Sequence, residues 1–347
     1  MNRALRAACY ARHGSFEEAE SEIASLRAQF GDGRNGRVTI TIMCAEAQLI
    51  YFKDLGDQAR DRMMRAQLLS VAGRDAALSA LTSAWLAHIC FNLHRHEEMV
   101  RSAKTALDMI SSGDHEAASR LALTFGDAFY AADQLEIGNR WYSKARERAV
   151  KLGDHSTIAA LTYNRAAMGT FCHRLHAVHS PVEPDVLRRS ANEVRTAINY
   201  QAIAQLTSLQ ALLDYSMASV QMLLSNYADA INLLAPMAAS LSSTSPLNRA
   251  AALRCDLAYC YAKSGDLVRA KEHLDSIANE DVTKLMPDDQ VVSLAALASA
   301  AEACGLAERS MSAKDALAVA EAEHQAAVSA LRDNLKPFSD STAINRL

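Results

Sequence analysis

A short pattern recurs along this chain at a nearly fixed interval, and it constrains the fold more than any other feature. It consists of a turn, a helix-opening phrase and a small residue. The clearest copies are Gly14-Ser15-Phe16-Glu17-Glu18-Ala19 and Gly265-Asp266-Leu267-Val268-Arg269-Ala270. Anchored on the small residue, the ladder reads Ala19, Ala59, Met99, Gly138, Ser190, Ala230, Ala270 and Ser310, with steps of 40, 40, 39, 52, 40, 40 and 40. Self-similarity at a period of about 20 to 50 residues marks stacked units that each bury an apolar face on the next, rather than a closed globule. The scarcity of Pro (6) and Gly (13) among 347 residues, with half the chain apolar, makes those units helical.

Offsets from the anchor follow helix-face spacing. Twelve residues upstream stand Ala7, Ala47, Ala87, Gly126, Ala218, Ala258 and Ala298, small residues that let two helix axes approach closely. Four residues downstream stand Ile23, Met63, Ala103, Tyr142, Val194, Leu234 and Leu274, and seven downstream a second set from Leu26 to Ile277. Each repeat is therefore a pair of antiparallel helices, and the anchor opens the second.

This arrangement resembles the tetratricopeptide repeat. The resemblance rests on small-x-x-large in the first helix, Gly-x-aromatic-x-x-Ala at the turn, and Ala-x-x-x-large-x-x-small in the second helix, and it covers roughly residues 1 to 330. The copies around Met99 and Ser310 are degenerate. The usual period is about 34 residues, so the extra residues imply longer helices or longer loops. HEAT repeats have a period near this one but do not favour the Gly-x-aromatic-x-x-Ala turn. The 40-residue variant is similar to the helical-repeat regions of bacterial signalling regulators, including maltose-activator-type transcription factors, and to sensory segments of some cyclic-nucleotide signalling proteins. The resemblance implies an all-α, right-handed solenoid superhelix of about eight repeats, with residues 1–305 as the repeat body.

Two places break the ladder. The 52-residue step carries 12 extra residues, which phase places in the fifth repeat near 172–185, with the first helix over 157–171 and the second restarting near Asp185. Pro181 and Pro184 forbid a continuous helix between them. The second break is the long helical pattern of 306–335, with a thin seam of Leu317, Ala320, Ala327, Val328 and Leu331. It is read as a capping helix, with a dimerising helix as the alternative. Residues 336–347 are expected to be a frayed tail.

In superhelices of the resembling type the first helices line the concave face. The register then places an aromatic ladder there, Tyr51, Phe91, Tyr130, Tyr163, Tyr215 and Tyr259, beside polar Gln48, His88, Asn92, Asp127, Asn164 and Ser219. Rings give contact area at low rotamer cost, and amides and hydroxyls satisfy a bound backbone. The expected role is protein or peptide binding, as a scaffold or adaptor. A sensory module reading a small molecule or signal peptide is the alternative.

Other chemistry is thinly represented. The net charge of −4 lacks the excess of basic residues that nucleic acid demands. No run of about 18 apolar residues is present to span a bilayer. Seven scattered cysteines without a C-x-x-C pair fit reduced thiols in a cytoplasmic protein. His173, His176 and His179 stand three apart in the insertion and form a weak candidate for metal. No P-loop, nucleophile elbow, dinucleotide fingerprint or H-E-x-x-H is present, so neither an enzyme nor a cofactor is expected.

Overall fold

The computed structural model describes residues 2–31, 33, 35–54, 56–206, 209–240, 250–277 and 282–347. Among these residues the first sixteen α-helices alternate as eight pairs. In chain order they are α1 (Asn2–His13) with α2 (Phe16–Phe30), α3 (Gly36–Lys53) with α4 (Asp57–Ala72), α5 (Ala76–Asn92) with α6 (His96–Met109), and α7 (His115–Ala131) with α8 (Leu135–Leu152). Then follow α9 (His155–Ala177) with α10 (Pro184–Ala204), α11 (Gln210–Leu223) with α12 (Tyr227–Ser240), α13 (Ala250–Lys263) with α14 (Leu267–Ile277), and α15 (Pro287–Ala303) with α16 (Ala307–Leu335). A short α17 (Ser341–Asn345) ends the chain. In the first unit the extra residues of the 40-residue period lengthen the helices: α3 has 18 residues, α5 and α7 have 17, and α8 has 18, whereas α11, α12 and α13 have 14 and α14 has 11.

The chain forms two compact units. The first comprises residues 1–165, 200–209 and 331–347, the second 166–199 and 210–330. In the first unit α1·α2, α3·α4, α5·α6 and α7·α8 pack as pairs, and α1·α3 and α5·α7 join successive first helices. In the second unit α11·α12 and α13·α14 pair, and α13 packs on α15.

Every anchor residue is buried, including the degenerate Met99 and Ser310, and so is every small residue twelve positions upstream. The fourth repeat substitutes Gly at both positions for a packing reason. A Cβ on Gly126 would enter the Tyr142 ring, and one on Gly138 would enter the Tyr130 ring. Two large rings therefore occupy the space that small-on-small contact fills elsewhere.

The turn between paired helices has its own register, five residues before the anchor. Gly14, His94, Asp133, Ser225, Gly265 and Gly305 all have positive φ there. The next residue donates its N–H to a carbonyl five residues back, as in Ser15 to Tyr10, Arg95 to Cys90, Gln134 to Phe129 and Asp266 to Tyr261. This is the Schellman closure of a helix, and glycine is the residue that adopts it without strain. Three of these six turns keep the geometry with His, Asp or Ser, which is why the turn phrase fades in their sequences.

Two expectations are corrected. The insertion near 172–185 is mostly helix: α9 runs through Ala177, α10 starts at Pro184, and only residues 178–183 connect them. Proline at the first helical position loses no needed donor, so Pro184 starts α10 rather than extending the loop. The tail is not frayed. Phe338 and Leu347 are buried in the first unit, and the Phe338 ring lies 4.6 Å from that of Phe125. The seam of α16 is buried at Ala320, Val328 and Leu331, whereas its Ala327 is exposed along with the larger Met311 and Val319. No helix among the described residues is long and apolar enough to cross a membrane.

Candidate functional site

In the first unit the predicted row is cross-linked by polar bonds between successive first helices. The Tyr51 hydroxyl and His88 Nε2 lie 3.1 Å apart, and His88 Nδ1 and Thr124 Oγ1 lie 3.3 Å apart. The Asn164 amide donates to both Asp127 carboxylate oxygens at 2.9 Å, and the Tyr142 hydroxyl donates to one of them at 2.6 Å. Arg120 donates to Thr157 Oγ1 at 3.4 Å. Bonded residues on successive first helices are 36 or 37 apart. That is one repeat less about one helical turn, so the first helices are staggered by a turn.

Burial divides the predicted residues. Tyr51, Phe91, Asn92, Tyr163 and Asn164 keep partial exposure, whereas Gln48, His88, Asp127 and Tyr130 are buried. Tyr130 is a correction to the ladder: its ring covers Gly138 and its hydroxyl donates to Asn139, both on the second helix of its own repeat. Gln48 is turned to Cys44 Sγ along its own helix, and Asn92 caps the His88 carbonyl. Phe91 stacks on His96 with ring centroids 6.3 Å apart, which explains why a histidine replaces the usual aromatic at that turn.

Beneath the accessible residues lies a charged layer. Arg12 pairs with Asp154 at 2.9 Å and reaches Glu116 at 3.9 Å. Arg120 lies over the Trp85 ring at 3.9 Å, a cation–π contact with a fully buried indole. Burial, reinforced by the neighbouring Arg12 charge, pulls Arg120 down to about 10. Burial likewise holds His88 well below its ordinary range, so it is neutral at pH 7. Asp127 is pushed up to about 7 by burial, against the opposing hydrogen bonds of Tyr142 and Asn164. A carboxyl with a raised folded pKa favours the folded state at low pH, and that contribution is lost as pH rises through about 4 to 7. Asp127→Asn, which cannot ionise, is therefore expected to gain stability relative to the wild type between pH 5 and 8. Paired urea titrations across that range read the difference, and a pH-independent difference would contradict it.

In the second unit the sequence missed the strongest polar feature. Arg174 on α9 makes a two-pronged pair with Asp256 on α13, at 2.5 and 3.1 Å. The Tyr215 hydroxyl accepts from Arg174 at 2.8 Å and donates to Asp256 at 3.0 Å, and Ser219 Oγ lies 3.4 Å from the guanidinium. Both charged side chains are buried. Burial alone would lower the Arg174 pKa, but Asp256 and Tyr215 outweigh it and keep the guanidinium firmly charged. Tyr215 and Ser219 thus belong to a buried network rather than an open groove. Tyr259 stays half-buried, with its ring against Tyr227 at 5.9 Å. The sequence signal of the buried network was Asp256, a lone Asp on the otherwise apolar buried face of α13.

The histidines do not assemble a metal centre. His173 and His176 lie on α9, while His179 lies beyond its end and pairs with Glu321 at 3.3 Å. Burial, then the adjacent His176, lowers the His173 pKa. Among the described residues no group of three His, Cys, Asp or Glu side chains converges on a common point.

No family model matches the sequence, and no curated protein matches it. Solved structures do. A Rap protein complexed with Competence and Sporulation Factor is 12% identical, with a TM-score of 0.60, over 96% of this chain and 98% of that one. A signal-transduction ATPase with numerous domains and a tetratricopeptide repeat sensor, from Pyrococcus horikoshii, is 14% identical over 95% of this chain and 55% of that one, with a TM-score of 0.43. At 12% identity the likeness to the Rap protein is one of fold. Together with the helix pairs, the buried anchors and the turn register, it makes this chain a tetratricopeptide-like helical-repeat protein.

Proposed function

We propose that the chain is a non-catalytic regulatory adaptor that binds a protein or peptide through the first helices of its first unit. The observation that carries this reading is the set of half-buried Tyr51, Phe91, Asn92, Tyr163 and Asn164 on α3, α5 and α9, held from below by the polar network. Side chains already fixed by hydrogen bonds lose little freedom on binding, which favours affinity. The Rap protein's complex with Competence and Sporulation Factor supports a binding role for the same fold. Seven free thiols fit a reducing, cytoplasmic setting.

The test is affinity selection from native cell extract, followed by titration of the partner against variants. Tyr51→Ala/Phe91→Ala/Asn92→Ala is expected to weaken binding by at least about tenfold, as hot-spot aromatics do. Leu68→Ser, on the exposed side of α4, is expected to change nothing. Equal binding by a correctly folded triple variant would remove the assignment. The sensory reading has a separate observation in its favour, a cavity in the second unit.

A further inference from the structure

The one irregular step in the repeat ladder and the described cavity coincide. Val178, Pro181 and Val182, from the α9–α10 connection, line a cavity of about 520 Å³ in the second unit. Met222 of α11 and Val292 and Ala296 of α15 contribute further apolar wall. Arg174, Ser225, Tyr227, Tyr259 and Ser299 are its polar lining residues. The other six anchor-to-anchor steps are 39 or 40 residues, so stacking alone has no use for the 12 extra ones. Those residues build a wall.

Three properties define what the cavity accepts. Its volume lies in the range of about 300 to 1,000 Å³ that holds a whole small molecule, well beyond one side chain. Its one ionic lining side chain, Arg174, is already neutralised by Asp256 and bonded to Tyr215. A charged ligand would therefore lose its hydration without gaining a counter-charge. The remaining polar lining groups include Ser225, Ser299 and the Tyr227 and Tyr259 hydroxyls, with the Tyr227 hydroxyl donating to Ser225 Oγ at 3.3 Å; phenol oxygens keep acceptor capacity for a ligand N–H or O–H.

We infer that this cavity binds an uncharged, predominantly apolar small molecule bearing one hydrogen-bonding group, which the insertion walls in and the Tyr227 and Tyr259 hydroxyls orient. This deepens the sensory reading and is independent of the peptide-binding surface in the first unit.

The test uses the full chain and the neutral fluorophore N-phenyl-1-naphthylamine, whose single N–H matches the proposed chemistry. Saturable 1:1 binding is expected. Ala296→Phe, which fills the cavity, and Val182→Trp, on the half-buried connection and gentler on the fold, are each expected to weaken it by roughly tenfold or more. 1-Anilinonaphthalene-8-sulfonate, of the same ring skeleton with a fixed charge, is expected to bind at least about tenfold more weakly. The Tyr51→Ala/Phe91→Ala/Asn92→Ala variant is expected to bind the neutral probe like wild type. Circular dichroism verifies folding, and Val182→Trp decides if Ala296→Phe does not fold. Non-saturable binding, unchanged affinity in folded Val182→Trp, or equal affinity for the sulfonate would each overturn the inference. Loss of probe binding in the first-unit variant would overturn it as well, and loss of partner binding there alone leaves it standing.

Discussion

Asp256→Ala is expected to destabilise the second unit by about 3 to 5 kcal/mol, the cost of leaving a buried charge without its partner. The Arg174 and Asp256 side chains are 7% and 1% exposed, so water cannot replace the lost carboxylate. Tyr215 cannot compensate, because its hydroxyl already bonds both members of the pair. The removal of both charges should behave differently. Arg174→Met/Asp256→Leu replaces the pair by apolar side chains of similar reach and is expected to cost far less than the single change, since two desolvation penalties disappear together. Urea unfolding of the wild type, the single variant and the double variant measures all three. A loss below about 1 kcal/mol for Asp256→Ala would mean that the pair behaves like a surface salt bridge.

The repeat was legible in the sequence because packing at a helix crossing tolerates few residue types. Ala7, Ala47, Ala87, Ala218 and Ala258 are all fully buried at the position the ladder assigns them. The turn was legible only where it carried glycine, since His94, Asp133 and Ser225 adopt the same left-handed backbone with side chains that announce nothing. The site was half legible. Register places a residue on a helix face but does not say what the neighbouring helix puts against it. Tyr130 sits in the groove row, yet glycine at position 138 opens a slot that takes its ring inward. Tyr215 sits in a neighbouring row of the same ladder, yet Arg174 claims its hydroxyl. Arg174 itself escaped notice because it lies in the out-of-phase insertion, 82 residues from its partner, where the ladder supplies no frame. The tail escaped for a related reason: isolated apolar residues have no period to reveal that they are buried.

Phe338→Ala is expected to destabilise the first unit by about 3 kcal/mol, the lower end of the range for deleting a buried aromatic ring. Phe338 is 5% exposed and its ring lies 4.6 Å from that of Phe125, which in turn lies 4.6 Å from Trp141. Phe125 and Trp141 are fully buried, so removing the Phe338 ring opens a void against a core with little freedom to collapse. Two arginines fasten the same segment: Arg332 donates to the Ala132 carbonyl at 2.7 Å, and Arg346 pairs with Asp108 at 3.1 Å. The Arg346 and Asp108 side chains are about half exposed, so Arg346→Ala should cost no more than about 1 kcal/mol. Thermal unfolding separates the two variants, and hydrogen exchange locates the damage. Faster exchange should appear in α7 and α8 of Phe338→Ala and not of Arg346→Ala. If Phe338→Ala instead unfolds like the wild type, the segment contributes nothing to the unit and the aromatic contact is incidental. If it unfolds early with α7 and α8 exposed first, residues 336–347 are part of the core of the first unit, although nothing in their sequence period says so.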